Sequence, residues 1–160
     1  MKKIYYICNL QAGKAELSQY LGQIIDMMTK NGYEVTVHPT QAVQDATEMA
    51  VQAADSGLYD YIFCSGGDGT LHEVMDGLLK SERRVPVGYI PCGSVNDFAK
   101  SMDIPKDMLE ACEAVLDGLP RKIDIGTVNG RGFSYIAAFG AFTDIAYGTP
   151  QNIKNVLGPA

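Results

Sequence analysis

Tyr59-Asp60-Tyr61-Ile62-Phe63-Cys64-Ser65-Gly66-Gly67-Asp68-Gly69-Thr70-Leu71-His72-Glu73-Val74 decides how this chain folds. Its first six residues form an apolar run of strand length. The segment from Leu71 to Leu79 spaces its apolar residues as a helix does. Between them lies Ser65–Thr70. A strand, a glycine-rich turn and a helix start make an anion site, because the first helical N–H groups have no partner and the helix dipole favours negative charge there. Glycine lets backbone approach a ligand closely. Asp68 is the odd member. A carboxylate repels a phosphate unless a cation lies between them, and Mg²⁺ takes a few carboxylates together with phosphate oxygens and water. The turn lacks the Gly-Lys-Ser/Thr of a Walker A loop and the Gly-x-Gly-x-x-Gly of a dinucleotide fold. As a packing corner alone it would need no Asp flanked by glycines.

Outward from this stretch, strands and helices alternate. Strands are expected at Lys3–Asn9, Tyr33–His38, Tyr59–Cys64 and Val85–Ile90. Helices are expected at Ala15–Asn31, Gln41–Ser56 and Leu71–Lys80, then in a short piece ending near Met102 and a last one from about Pro105 to Asp117. Leu17, Leu21, Ile24, Ile25 and Met28 give the first helix its apolar stripe, and Asn31-Gly32 ends it. The pattern predicts an α/β fold, a parallel sheet in three layers with helices on both faces. Such sheets bind ligands at the carboxyl ends of their strands. Asn9–Lys14, Ser65–Thr70 and Pro91–Asp97 all fall at that edge. After Pro120 the pattern changes. Arg121–Val128 and Phe133–Phe139 read as a hairpin about the Asn129-Gly130 turn. The division expected is a nucleotide-binding α/β domain over 1–128, then over 129–160 the hairpin and the beginning of a truncated β-rich second domain.

The chain has 160 residues, which suits one core, and a net charge of −6, which argues against a nucleic-acid partner. No run reaches membrane-spanning length and no secretory signal is visible. Cys8, Cys64, Cys92 and Cys112 match no metal or redox spacing. They read as free thiols in a reducing, cytoplasmic setting, with Cys92 a bystander in its loop. His38 reads as a strand-end residue. His72 has no partner at ligand spacing, so no zinc is expected.

Ser65-Gly66-Gly67-Asp68-Gly69-Thr70, followed by Pro91-Cys92-Gly93-Ser94-Val95-Asn96-Asp97 and then Asp124-Ile125-Gly126, resembles the catalytic domain of the diacylglycerol kinase family, nearest its bacterial soluble branch. The resemblance covers nearly the whole chain. It implies an ATP-dependent lipid kinase that transfers the γ-phosphoryl group to the hydroxyl of diacylglycerol or a similar lipid, with ATP and Mg²⁺ required. It assigns nucleotide contacts to Asn9, Lys14, Gly66, Gly67, Asp68, Gly69, Thr70, Gly93, Ser94 and Asn96. It makes Asp68, Asp97 and Asp124 the catalytic, metal-facing acidic set, reached partly through water. Each has a plainer reading beside it. Thr70 or Asp97 can cap a helix, Asp124 can be a solvated strand residue, and Lys14 can be a surface lysine. Ser94 and Asn96 are ordinary turn residues, and the helix dipole accounts for Glu73.

Two departures stand out. Leu10 replaces the proline usual in the family's first loop, and His72 stands where bacterial members often carry Asn. In the family a β-rich second domain supplies the acceptor pocket and the catalytic base. This chain therefore reads as the ATP-binding half, inactive by itself, with peripheral membrane contact belonging to the complete protein. Phosphoryl transfer to NAD is the alternative enzyme reading, since NAD kinases share the glycine loop but not the second motif. A non-catalytic nucleotide-binding module is the other.

Overall fold

A computed structural model describes residues 1–128 and 131–133. Four parallel strands form one sheet in the order β2-β1-β3-β4: β1 (Lys2–Cys8), β2 (Tyr33–Pro39), β3 (Tyr61–Gly66) and β4 (Val87–Pro91). The helices are α1 (Leu17–Lys30), α2 (Asp45–Ser56), α3 (Asp68–Lys80), α4 (Asp97–Ser101) and α5 (Met108–Asp117).

The central strands are apolar on both sides, as a sheet covered on both faces requires. Along β1 the side chains alternate between two cores. Tyr5 and Ile7 join a core with α2 and α3, while Ile4, Tyr6 and Cys8 join one with α1 and α5. β3 does the same, with Ile62 and Cys64 on the first side and Phe63 on the second. The three-layer α/β arrangement expected from the alternation is the one observed.

Helix packing follows from side-chain size. α1 fully buries Leu17, Ile24 and Met28, each burial stabilising by roughly 1.5–3 kcal/mol. α2 presents Ala46, Ala50, Ala53 and Ala54, which lets α3 approach closely. At the contact, a Cβ on Gly77 would lie 2.9 Å from the Ala50 Cβ and would overlap the Thr47 carbonyl. Thr47 Oγ1 also donates to the Glu73 carbonyl (3.0 Å).

Four helix starts differ from expectation, α1 beginning at Leu17 rather than Ala15. α2 begins at Asp45, since Gln44 adopts φ 69° and breaks the helix before it. α5 begins at Met108, where the Asp107 side chain accepts from the Leu109 and Glu110 N–H groups. Most consequentially, α3 begins at Asp68 rather than Leu71. Gly66 still pairs with Pro91 in the sheet, and Leu71 N–H already donates to the Gly67 carbonyl (3.1 Å). The glycine-rich loop is thus one residue, Gly67, between a strand and a helix.

Beyond α5, β5 (Gly126–Val128) pairs antiparallel with β6 (Arg131–Phe133), and β6 lies against α3. The hairpin is therefore present, with a shorter first arm than Arg121–Val128. The Asn129-Gly130 turn, the rest of the Phe133–Phe139 arm and the remainder of 129–160 lie outside the described residues. No helix among the described residues is long and apolar enough to cross a membrane.

Candidate active site

All four strands end at one edge, and the chain leaving β1, β2 and β4 is tied to a neighbouring strand. Asn9 N–H donates to the Ser65 carbonyl (2.8 Å), Thr40 N–H to the Cys8 carbonyl (2.9 Å) and Cys92 N–H to the Gly66 carbonyl (3.0 Å). These bonds extend the sheet beyond the strand ends and bring the loops after β1, β3 and β4 together. Thr40, after β2, shares the edge, yet reading loops by glycine content passed over it. The signal available was topological: in a parallel sheet every strand ends on the same side.

Direct backbone contact joins the three loops. Gly13 has φ +57°, and a Cβ there would overlap the Cys92 carbonyl of the third loop. A Cβ on Gly93 would lie 2.5 Å from Gly67 Cα and 2.7 Å from Asn96 Oδ1. Gly67 has an ordinary extended backbone (φ −86°) and would bring its own Cβ to 3.3 Å from Gly93 Cα. A Cβ on Gly66 would meet the Thr70 side chain. Gly13, Gly67 and Gly93 sit where loop packs on loop, and Gly66 where the end of β3 meets α3. Gly69 is the exception: it is exposed, lies in the first turn of α3, and has nothing within 4 Å of where its Cβ would stand.

Side chains complete the frame. Asn9 Oδ1 accepts from Gln11 N–H (3.0 Å) and its amide donates to Thr70 Oγ1 (3.1 Å). Thr70, the third residue of α3, is buried and does not cap the helix; no side chain does. Asn96 is also buried. It adopts φ 55°, accepts from Gly93 N–H (2.9 Å) and donates to the Gly93 carbonyl (2.8 Å), closing the loop on itself. The Tyr89 hydroxyl donates to the Gly66 carbonyl (3.1 Å); burial raises its pKa, so it stays a donor. Burial also pushes the Cys92 thiol up to about 12, the wrong direction for a nucleophile.

The acidic residues are not gathered in one place. Both Asp68 oxygens accept backbone N–H groups, Oδ2 from Asp97 and Oδ1 from Phe98, each at 3.0 Å. Asp97 is therefore not the cap of α4 but its first residue. Its Oδ1 accepts from Lys100 Nζ (3.0 Å). Asp124 is exposed and lies outside any strand. Among the described residues no group of three or more His, Cys, Asp and Glu is arranged to hold a metal ion. Lys14 and Ser94 are exposed on their loops, as is His72 on α3. Glu73 lies in the second turn of α3, past the first-turn amides. His38 is the penultimate residue of β2, with Nε2 3.3 Å from Asp45 Oδ2 and its ring stacked on Tyr5.

Residues 3–128 match the profile of the diacylglycerol kinase catalytic domain. A diacylglycerol kinase of Bacillus subtilis (strain 168) is 40% identical over 159 residues, covering 99% of this chain and 52% of that protein. One of Staphylococcus epidermidis (strain ATCC 12228) is 37% identical over 158 residues, covering 99% and 50%. The crystal structure of a diacylglycerol kinase from Bacillus anthracis str. Sterne superposes with a TM-score of 0.75 at 29% identity, over 82% of this chain and 45% of that one. The chain spans about half the length of the curated relatives it matches.

Proposed function

The chain belongs to the diacylglycerol kinase catalytic domain family, and from that premise we propose that it forms the ATP-binding half of a lipid kinase. The reaction is transfer of the γ-phosphoryl group of ATP to the hydroxyl of diacylglycerol or a similar lipid. The observation that carries this reading is the start of α3. Its first turn is uncapped by any side chain, and Gly69 opens it to solvent at the strand edge where the loops converge. Amides there suit a phosphate.

Phosphoryl transfer asks mainly for positioning and charge neutralisation. The amides at the start of α3 hold phosphate oxygens, and Lys14 and Ser94 reach in from the flanking loops. Asn9, Thr70, Gly93 and Asn96 keep the loops in register. Mg²⁺ arrives on the nucleotide phosphates as part of the substrate. The base that takes the lipid hydroxyl proton is assigned to residues outside 1–128. In this reading the protein is cytoplasmic and meets its lipid by peripheral contact, and the domain boundary falls near 128. The relatives' names favour a lipid over NAD as acceptor.

Gly69→Ala tests the carrying observation. With open space around it, the added methyl should leave the fold intact or stabilise the helix by up to about 1 kcal/mol. A phosphate seated on the turn would meet that methyl, so affinity for ATP should fall. Titration calorimetry and urea unfolding on the intact protein read both. Unchanged affinity would remove the phosphate from this turn. Transfer of labelled phosphate to NAD rather than diacylglycerol would select the other acceptor, and binding without transfer to either would select a non-catalytic module.

A further inference from the structure

Asp68 occupies two helix starts at once. It is the first residue of α3, and its carboxylate reaches the start of α4, where Oδ2 accepts Asp97 N–H and Oδ1 accepts Phe98 N–H, both at 3.0 Å. The residue that should cap α4 does not. Asn96 holds the N-cap position, but its side chain is committed to both polar groups of Gly93. The first turn of α4 is thus capped from the start of α3, 29 residues away in sequence. The neighbouring glycines make the bridge possible, because the close approach of Gly67 and Gly93 leaves one carboxylate spanning the gap.

We propose that Asp68 is a positioning residue: its carboxylate caps α4 and thereby locks the Gly93–Asn96 loop against the glycine turn in the arrangement that receives the nucleotide. The proposal rests on the reading of these loops as a nucleotide site, and goes beyond it by giving Asp68 a task that needs no metal. A carboxylate bound to N–H groups is a strong, charge-assisted acceptor. Losing it leaves two amides of a short helix unpartnered and unties the start of α4, with the Gly93–Asn96 loop before it, from the glycine turn.

The sign of the effect without metal separates this role from a metal-facing one. If Asp68 acted only through a bound cation, removing its charge in EDTA would relieve repulsion and tighten nucleotide binding. As a positioning residue, its removal loosens the loop and weakens binding with or without Mg²⁺. The experiment titrates the intact protein and its Asp68→Ala and Asp68→Asn variants with trinitrophenyl-ATP in EDTA. Amide exchange at Asp97 and Phe98 is followed by NMR. The expected result is affinity about tenfold weaker or worse in Asp68→Ala. Asp68→Asn, which keeps one acceptor oxygen, should fall in between. Exchange should quicken at Asp97 and Phe98 and not in β1 or β3. Equal or tighter binding in EDTA overturns the proposal, as does unchanged exchange at those two amides. Quickened exchange throughout the sheet of both variants overturns it in favour of a general structural role. If the unaltered protein binds no nucleotide, the nucleotide reading and the positioning role fall together, whereas unchanged exchange removes the bridge alone.

Discussion

Gly93 and Gly67 face each other, and the two are not equally replaceable. A methyl on Gly93 would stand 2.5 Å from Gly67 Cα, a backbone atom that cannot swing aside, whereas a methyl on Gly67 would stand at 3.3 Å from Gly93 Cα. Gly93→Ala should therefore part the two loops and cost roughly 1–3 kcal/mol, as overpacking does. Gly67→Ala should cost less. Urea midpoints of the two variants check the order, and equal midpoints would mean that the loops do not touch. The glycine turn and the family were legible in the sequence at this scale, because Gly66, Gly67, Asp68, Gly69 and Thr70 form a recognisable pattern. What each residue touches was not. The partners of Asp68 and Gly67 lie in another loop, and turn composition carries no information about contacts across the sheet edge. Four glycines read as ligand-facing or left unexplained (Gly13, Gly66, Gly67 and Gly93) meet protein, whereas Gly69 stands open.

The helices of this fold start in different ways, and the difference has consequences for stability. α5 carries its own cap, with Asp107 Oδ1 2.9 Å from Leu109 N and 3.1 Å from Glu110 N. Asp107→Ala should destabilise by about 1 kcal/mol, read as a lower urea midpoint, and should leave nucleotide affinity unchanged. A loss of affinity would connect α5 to the site. α3 has no side-chain cap and α4 borrows one. At the α2–α3 contact, Gly77→Val would drive a branched side chain into Thr47 and Ala50. It should lower the midpoint by more than the cap variant does. Element order and type were legible because the apolar periods are long and Asn31, Gly57 and Pro39 punctuate them. The start of α3 was not, because glycine's poor helix propensity argued for a loop. Tertiary contact overrode it: pairing of Gly66 with Pro91 carries the strand to the edge, leaving only Gly67 to make the turn.

Across the whole molecule Cys8, Cys64 and Cys112 are buried and Cys92 is half-buried. Burial pushes Cys8 and Cys112 up to about 11 and Cys92 to about 12, and it also raises Cys64. The sequence spacing excluded a metal or redox motif for these cysteines, and burial accounts for their place as small apolar residues. Their division between the two cores, Cys64 on one side and Cys8 and Cys112 on the other, could not be read, because it depends on how the elements pack. The thiols have a common thermodynamic consequence. A group whose pKa is raised in the folded state stabilises the fold fully below its unfolded pKa, and that contribution is lost as pH rises through the folded value. For these thiols the window opens near the unfolded thiol value of about 9 and runs to about 12, the value for Cys92. Unfolding free energy should therefore be level between pH 7 and 8 and lower by roughly 2 kcal/mol or more near pH 10.5, with buried Tyr6 and Tyr89 acting in the same direction. Urea unfolding at pH 7.5, 9 and 10.5 measures it. At pH 8 the thiolate form of Cys92 would be on the order of one part in ten thousand, so iodoacetamide should label the native thiols far more slowly than the unfolded ones. Constant stability across that range, together with rapid native labelling, would show that the strand ends admit water, and the tight apposition of the three loops would then be untenable.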